Sequence, residues 1–195
     1  PRRYVAYLLA DGNEMGEVFG ACRTPEQMRT LSQKLPRVMR EALAEPTRAI
    51  KANNPMEDRP DFIPVWPLIL GGDDLFALIP APWALDFAHR FCQVYEQKMT
   101  ALFKEIGLAD VPRPTVSAAV VICKSKHPYA LAHAAGEARL QQAKRIEKQR
   151  ILKSQQPMSV INFEVVLGGR LVAPPDTREV RPTLRPYWVG DPGDG

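Results

Sequence analysis

Cysteine and histidine are scarce in this sequence, with three residues of each kind. The cysteines (Cys22, Cys92 and Cys123) are odd in number, far apart and never in a CxxC pair, which argues against a disulfide framework. The histidines show no HExxH spacing, so a structural zinc site is not expected. This cysteine content fits a reducing compartment, and we expect a cytoplasmic protein.

Long hydrophobic runs are also missing. No apolar segment approaches the roughly 18 residues of a membrane-spanning helix, and no secretory signal begins the chain, so we predict no membrane contact. The 195 residues are 45% hydrophobic and 25% charged, which fits about one globular domain. The net charge of +4 is compatible with ligands that carry phosphate. The chain starts without Met inside a strand-like pattern, and we expect it to be part of a longer polypeptide.

Two short apolar runs, 68–70 and 75–79, flank the tetrapeptide Gly71-Gly72-Asp73-Asp74 and predict a β-hairpin. The two glycines tolerate positive φ and allow a ligand to approach the backbone closely. At a turn the two carboxylates can reach one cation, and hard divalent ions such as Mg²⁺ prefer carboxylate oxygens. From the tetrapeptide alone, the alternative is a tight turn with a solvated tip.

Hydrophobic periodicity predicts the remaining elements. They are a buried strand over 4–10, a helix over 24–43 with a kink or break at Pro36, a loop over 46–62, hairpin strands over 63–70 and 75–79, a helix over 82–107, a strand over 115–123, a helix after Pro128 to 152, and a last strand over 158–167. We assign residues 1–167 to one domain and residues 168–195 to an irregular tail or a linker to another domain.

The first six elements follow the order βαββαβ. The predicted fold class is therefore α+β and ferredoxin-like, with an added C-terminal helix and strand. In this topology the end of the first strand and the tip of the hairpin meet at one edge of the sheet. Asp11 is thus predicted to lie near Asp73 and Asp74. Three carboxylates at one edge repel each other unless a cation lies between them, which predicts a divalent metal site.

Five motifs occur in a specific order along the chain. They are Asp11-Gly12-Asn13-Glu14-Met15-Gly16 after a strand, the Gly-Gly-Asp-Asp hairpin, a Ser-Ala-rich strand from Ser117 to Ile122, a helix after His127 that contains Ala143-Lys144, and Arg185-Pro186-Tyr187. Together they resemble the Palm domain of the large subunit of type III CRISPR effector complexes. The resemblance covers nearly the whole chain.

The resemblance implies a nucleotidyltransferase that uses two metal ions, Mg²⁺ or Mn²⁺, to join ATP into cyclic oligoadenylates, second messengers of antiviral defence. The implied metal ligands are Asp11, Asp73 and Asp74, of which Asp73 and Asp74 are catalytic. The implied nucleotide-binding residues are Gly71, Gly72, Ser117 and Lys144. The sequence departs from the family at Asn13, where many members carry a second Asp, and we do not assign Asn13 as a ligand.

The resemblance also implies partners. These are ATP, other domains or subunits of a CRISPR effector complex with guide RNA and target RNA, and a second Palm domain or a homodimer. Two alternatives stay open: a diguanylate-cyclase relative that uses GTP, and a non-catalytic Palm that serves as a structural or nucleic-acid-contacting module. Intact Asp11, Asp73 and Asp74 favour the catalytic interpretation.

Overall fold

The structure, a computed structural model, describes residues 4–53, 61–112, 114–153, 155–166 and 186–190. Within these ranges the elements are β1 (Tyr4–Gly12), α1 (Met15–Gly20), α2 (Pro25–Asn53), β2 (Trp66–Gly71), β3 (Asp74–Pro80), a 3₁₀ turn (Ala81–Trp83), α3 (Ala84–Glu105), β4 (Val116–Lys124), α4 (Tyr129–Leu152), β5 (Ser159–Val166) and β6 (Tyr187–Val189). None of the helices in these ranges combines the length and the apolar character needed to cross a bilayer.

The strands form one sheet in the order β2-β3-β1-β4-β5-β6. β1 lies at the centre and runs antiparallel to both β3 and β4. The strands β2-β3-β1-β4, with α2 and α3 as connections, form the predicted ferredoxin-like unit, so the predicted fold class is confirmed. β4 and β5 run parallel. A parallel pair needs a crossover connection, which α4 supplies.

Alternation along β1 separates two layers of the fold. Ala6, Leu8 and Ala10 are buried in the main core with α2 and α3. Leu9 points to the other face and packs with Leu140 of α4. Asp11, two residues after Leu9, therefore belongs to the face that α4 covers.

Close packing of α4 on β1 depends on Gly136. A Cβ atom at this position would lie 2.4 Å from Leu9 Cδ1, which is inside van der Waals contact. Leu9 is 2% exposed and has little room to move. Gly136 therefore sets how closely α4, and every side chain on it, approaches the sheet.

The Gly136→Ala variant should lower the free energy of unfolding. Overpacking typically costs about 1–3 kcal/mol, and alanine recovers up to about 1 kcal/mol of helix propensity, so we expect a net loss on the order of 1 kcal/mol. Chemical denaturation measures the change. Gly16→Ala is the control, because a Cβ at Gly16 meets nothing within 4 Å. A Gly136→Ala protein as stable as the Gly16→Ala protein would contradict the close approach.

A break of α2 at Pro36 and a loop beginning at residue 46 were wrong, whereas a kink at Pro36 stays a prediction. The helix is not broken at Pro36, and it continues through Pro46 to Asn53, where a loop over 46–62 was expected. Pro46 and Ile50 are buried and extend the apolar stripe of the helix. Their packing outweighs the cost of roughly 3 kcal/mol that a proline imposes on a helix interior. Residues 54–60 of the expected loop lie outside the described residues.

Smaller differences concern the ends of the elements. β2 begins at Trp66 rather than at residue 63, and α3 begins after a 3₁₀ turn. The short helix α1 was not predicted. Residues 187–189, expected in the irregular tail, form β6 and pair with β5, where the Tyr187 and Phe163 rings stack with centroids 6.0 Å apart. Residues 167–185 and 191–195 lie outside the described residues, so the domain boundary after residue 167 stays a prediction.

Candidate functional site

The end of β1 and the tip of the β2–β3 hairpin meet at one edge of the sheet. Asp11 lies directly opposite Asp74 in the antiparallel register, and the Gly12 N–H donates a hydrogen bond of 3.3 Å to the Asp73 carbonyl. The fold thus brings Asp11 to the adjacent pair Asp73 and Asp74, which is distant from it in sequence, as the topology predicted. Residues directly opposite in an antiparallel pair have Cβ atoms about 5 Å apart.

The hairpin turn leaves room for a ligand. Gly72 has φ of +59°, a conformation that favours glycine. A Cβ at Gly71 or Gly72 would meet no heavy atom within 4 Å, so this stretch of backbone faces open space. Both glycines lie where the prediction placed them, beside the acidic pair.

The other side of the site is tightly packed around Gly12. A Cβ there would lie 2.8 Å from Met15 Cγ, 2.9 Å from Tyr95 Oη and 3.1 Å from Asp73 Cβ. Only glycine allows β1, α3 and the hairpin to approach this closely. Gly12 belongs to the Asp11–Gly16 motif, and this packing role was not predicted from the sequence.

The two hairpin carboxyls have perturbed acidity. Burial raises the pKa of Asp73 above its usual range, the charge of Asp11 raises it further, and Lys144 opposes the shift. Burial also raises the pKa of Asp74, followed by the charges of Asp11 and Asp73. The site therefore holds more negative charge than its own cation neutralises.

These pKa shifts predict how stability depends on pH. A carboxyl whose pKa is higher in the folded than in the unfolded state ionises at a cost to the folded state. The protein therefore loses stability as pH rises from the unfolded pKa through the folded pKa. We expect the metal-free Asp73→Asn and Asp74→Asn variants to equal wild type in Tm at low pH and to exceed it at neutral pH. Thermal unfolding across pH 3–8 measures the difference.

Asp110→Asn is the control of opposite sign. Its carboxyl accepts a hydrogen bond from Arg23, which lowers the pKa of Asp110. The Tm of this variant should equal that of wild type at low pH and be lower than that of wild type at neutral pH. A hairpin variant that behaves like Asp110→Asn would contradict the electrostatic description of the site.

Lys144 of α4 reaches across the sheet to this edge. Its ammonium pairs with the Asp11 carboxylate, and both side chains are partly buried. One helical turn later, Lys148 Nζ lies 3.8 Å from Glu14 Oε1. Glu14 has φ of +51° and begins the turn into α1. α4 therefore presents two ammonium groups to the end of β1, of which the sequence analysis singled out one.

The carboxylates suit a hard divalent cation. Their donors are all oxygen, the atoms that Mg²⁺ and Mn²⁺ prefer. Burial and then the neighbouring carboxylates raise the pKa values of Asp73 and Asp74, and a bound cation would favour their ionised forms. Within the described ranges, no three acidic, histidine or cysteine side chains are already arranged as a ligand set. The donor chemistry of Asp11, Asp73 and Asp74 nevertheless fits such an ion.

Ser117 lies opposite Asp11 on β4, but its side chain is fully buried. Its hydroxyl donates a hydrogen bond of 2.8 Å to Asn13 Oδ1. The structure therefore places Ser117 beside the site in a contact within the protein, and its predicted contact with nucleotide stays a prediction.

Sequence reasoning missed two buried residues next to the site. Tyr95 is fully buried; burial raises the pKa of its hydroxyl, and the charges of Asp73 and Asp11 raise it further. Glu147 is 2% exposed, and burial raises the pKa of its carboxyl. Tyr95 looked like one more apolar position of α3, and Glu147 sits within a basic run, so neither carried a visible signal.

A cavity of about 690 Å³ adjoins the turn between β1 and α1. Its lining includes Asn13, Glu14, Glu17, Thr115 and Glu147. Cavities of this size hold small-molecule ligands in many proteins. Asp11, Asp73 and Asp74 do not line this cavity, which lies on the far side of Asn13 from the hairpin.

Comparison with known proteins places this geometry in a family. Residues 4–152, more than half of the chain, match the family model described as Cas10/Cmr2, second palm domain. A search of curated proteins gives no match.

Solved structures share the fold. The crystal structure of a Csm1–Csm4 cassette in complex with pppApA superimposes with a TM-score of 0.55 at 17% identity, over 74% of this chain and 19% of that chain. The same cassette in complex with cA4 gives 0.55 at 16% identity, over 86% and 22%. Csm1 from T. onnurineus gives 0.54 at 16% identity, over 80% and 20%.

At these identities the structural likeness establishes the fold alone, and the chain spans about a fifth of the length of those relatives. The family model, by contrast, extends from β1 to the end of α4 and includes the acidic edge and Lys144. The chain therefore belongs to the Cas10/Cmr2 second palm domain family.

Proposed function

We propose that this domain is a metal-dependent nucleotidyltransferase that condenses ATP into cyclic oligoadenylates as part of a type III CRISPR effector complex. The observation that carries the proposal is the convergence of Asp11, Asp73 and Asp74, with Lys144, at one edge of the sheet. The relatives bound to pppApA and cA4 support adenine nucleotides as substrate and product class.

Asp11, Asp73 and Asp74 would hold Mg²⁺ or Mn²⁺, which would supply Lewis-acid stabilisation of the attacking and leaving oxygens. The chain's own residues do the rest. The exposed backbone at Gly71 and Gly72 lets a nucleotide approach the hairpin. Lys144, which already lies at Asp11, adds a point charge for phosphate. No side-chain nucleophile is required, because the 3′-hydroxyl of one nucleotide loses its proton to solvent and attacks the α-phosphate of the next, which breaks the α–β phosphoanhydride bond and releases pyrophosphate.

To test this proposal, the protein is incubated with each labelled NTP and Mg²⁺ or Mn²⁺, and the products are identified by mass spectrometry. Oligoadenylates formed only from ATP would support the proposal. Cyclic dinucleotides formed from GTP would favour the diguanylate-cyclase relative. ATP binding without any product, in the protein alone and with its complex partners, would favour a non-catalytic structural Palm.

Activity should depend on a second Palm domain. Joining nucleotides requires two to be held together, and we propose that a second Palm domain or a second copy of this chain holds the other. Product formation by this chain alone should therefore be weak at low protein concentration and rise more steeply than the first power of concentration. Initial rates across a dilution series, with light scattering for mass, measure this. Strict first-order activity from a monomer would contradict it.

A further inference from the structure

A chain of four buried polar side chains runs from β4 to α4 behind the acidic edge. Ser117 Oγ donates to Asn13 Oδ1 at 2.8 Å, Asn13 Nδ2 donates to Thr115 Oγ1 at 2.9 Å, and the Thr115 hydroxyl donates to Glu147 Oε1 at 3.3 Å. All four residues are at most 6% exposed. Buried polar groups of this kind are costly unless each one finds its partner.

The direction of this chain is set at its end. Glu147 as a carboxylate only accepts, so Thr115 must give its single proton to Glu147 and use its oxygen to accept from Asn13. With the Asn13 amide turned over, Thr115 would donate to Asn13 instead, and Glu147 would lose its donor within the chain. The orientation of the Asn13 amide therefore depends on whether Glu147 accepts a hydrogen bond as a carboxylate.

This row of hydrogen-bonded side chains holds the backbone segment that follows Asp11. The Asn13 N–H donates to the Thr115 carbonyl at 3.0 Å, and the Gly12 N–H donates to the Asp73 carbonyl at 3.3 Å. Side-chain and backbone hydrogen bonds thus tie Asn13 both to Thr115, just before β4, and to Ser117 in β4. A shift of Asn13 would be transmitted over two residues to Asp11.

We propose that Asn13 and Glu147 are a matched pair of positioning residues that fix the end of β1, and with it Asp11, through the polarity of this buried chain. The expected effect of this pair on catalysis rests on the proposed function, whereas its expected effect on the backbone around Asn13 does not. Neither residue touches the reacting atoms. Exchanging a donor for an acceptor at residue 13 should destabilise the end of β1 unless an acceptor is exchanged for a donor at residue 147.

Asparagine-to-aspartate substitution at residue 13 breaks the polarity. In Asn13→Asp both ends of the chain are acceptors, and they compete for the one Thr115 proton. In Glu147→Gln the side-chain oxygen still accepts from Thr115, so this variant should resemble wild type. In the double variant the amide introduced at residue 147 donates to Thr115 Oγ1 and Thr115 donates to the carboxylate introduced at residue 13, so that every group is again paired.

Hydrogen exchange is the readout that does not depend on catalysis. We expect Asn13→Asp to accelerate exchange of the amides of residues 12–18, which include the hydrogen-bonded N–H groups of Gly12, Asn13 and Val18. The double variant Asn13→Asp/Glu147→Gln should restore protection. Affinity for ATP with Mg²⁺ should fall by about tenfold in the single variant and recover in the double variant.

Asn162→Asp is the matched control. Asn162 is 3% exposed and its amide donates to Gln142 Oε1 at 3.0 Å, away from this chain. It should lower Tm without changing exchange in residues 12–18, and Glu147→Gln should not rescue it.

The double variant decides the outcome. Exchange and Tm that recover in Asn13→Asp/Glu147→Gln support the pair, even where Asn13→Asp alone does not fold. A double variant no better than Asn13→Asp overturns the proposal. Failure of wild-type protein to bind ATP would refute the proposed function. The hydrogen-exchange result would still test whether Asn13 and Glu147 act as a pair.

Discussion

Replacing Asp73 and Asp74 with alanine should abolish nucleotide condensation and leave the fold intact. The two carboxylates lie at the hairpin tip beside Asp11, Asp73 half-buried and Asp74 exposed, where we propose that they hold the metal ions. Their removal takes away ligands without opening a core cavity. It also removes repulsion with Asp11, so metal-free protein should be at least as stable as wild type.

Product yield and thermal unfolding are measured on the same preparations. Wild-type protein should gain Tm on addition of Mg²⁺ and ATP, because ligands that bind only the folded state stabilise it. The alanine variants should lose that gain. Asp86→Ala, in the first turn of α3 and outside the acidic edge, is a suitable control. Turnover at the wild-type rate by the double alanine variant would sink the metal assignment.

Lys144→Ala should reduce catalytic efficiency by at least about tenfold, near 1.4 kcal/mol of transition-state stabilisation. Its ammonium already lies at the acidic edge, paired with Asp11, and we propose that it neutralises phosphate charge during the reaction. Removing it also leaves Asp11 without this partner. Steady-state kinetics with ATP measure the loss, and thermal unfolding separates it from a loss of stability.

Arg145→Ala is the control for Lys144, since Arg145 is an exposed cation on the same helix. Lys148 is unsuitable as a control because its ammonium lies 3.8 Å from Glu14 at the same end of β1. Equal kinetics for Lys144→Ala and Arg145→Ala, both near wild type, would return Lys144 to the ordinary solvated surface.

The meeting of Asp11 with Asp73 and Asp74 was predictable because topology alone determines it. A strand order of βαββαβ places the end of β1 beside the hairpin whatever the side chains are. The continuation of α2 through Pro46 was not predictable in this way, since it depends on burial of Pro46 and Ile50 against the rest of the core. Local propensity favoured a loop there, and tertiary packing overrode it.

The buried contacts of the site were beyond sequence reasoning for a related reason. Asn13, Thr115 and Glu147 each look ordinary in their own segments, and only the folded chain aligns their donors and acceptors. Ser117 illustrates the same limit, because its motif predicted contact with a ligand whereas its hydroxyl is bonded to Asn13. The site's charged groups could be found from the sequence, but the hydrogen bonds behind them could not.

The placement of Lys144 on α4 couples the packing of that helix to the charge balance of the acidic edge. β1 and the hairpin supply all three carboxylates of the acidic edge, but its cation comes from a helix that packs on β1 through close contact at Gly136. Lys144 and Asp11 are 133 residues apart in the sequence, so their pairing depends on long-range docking of α4. Without α4 in place, paired β1 and hairpin strands would bring three carboxylates together with no ammonium beside them, so docking of α4 also lowers the electrostatic cost of forming this edge.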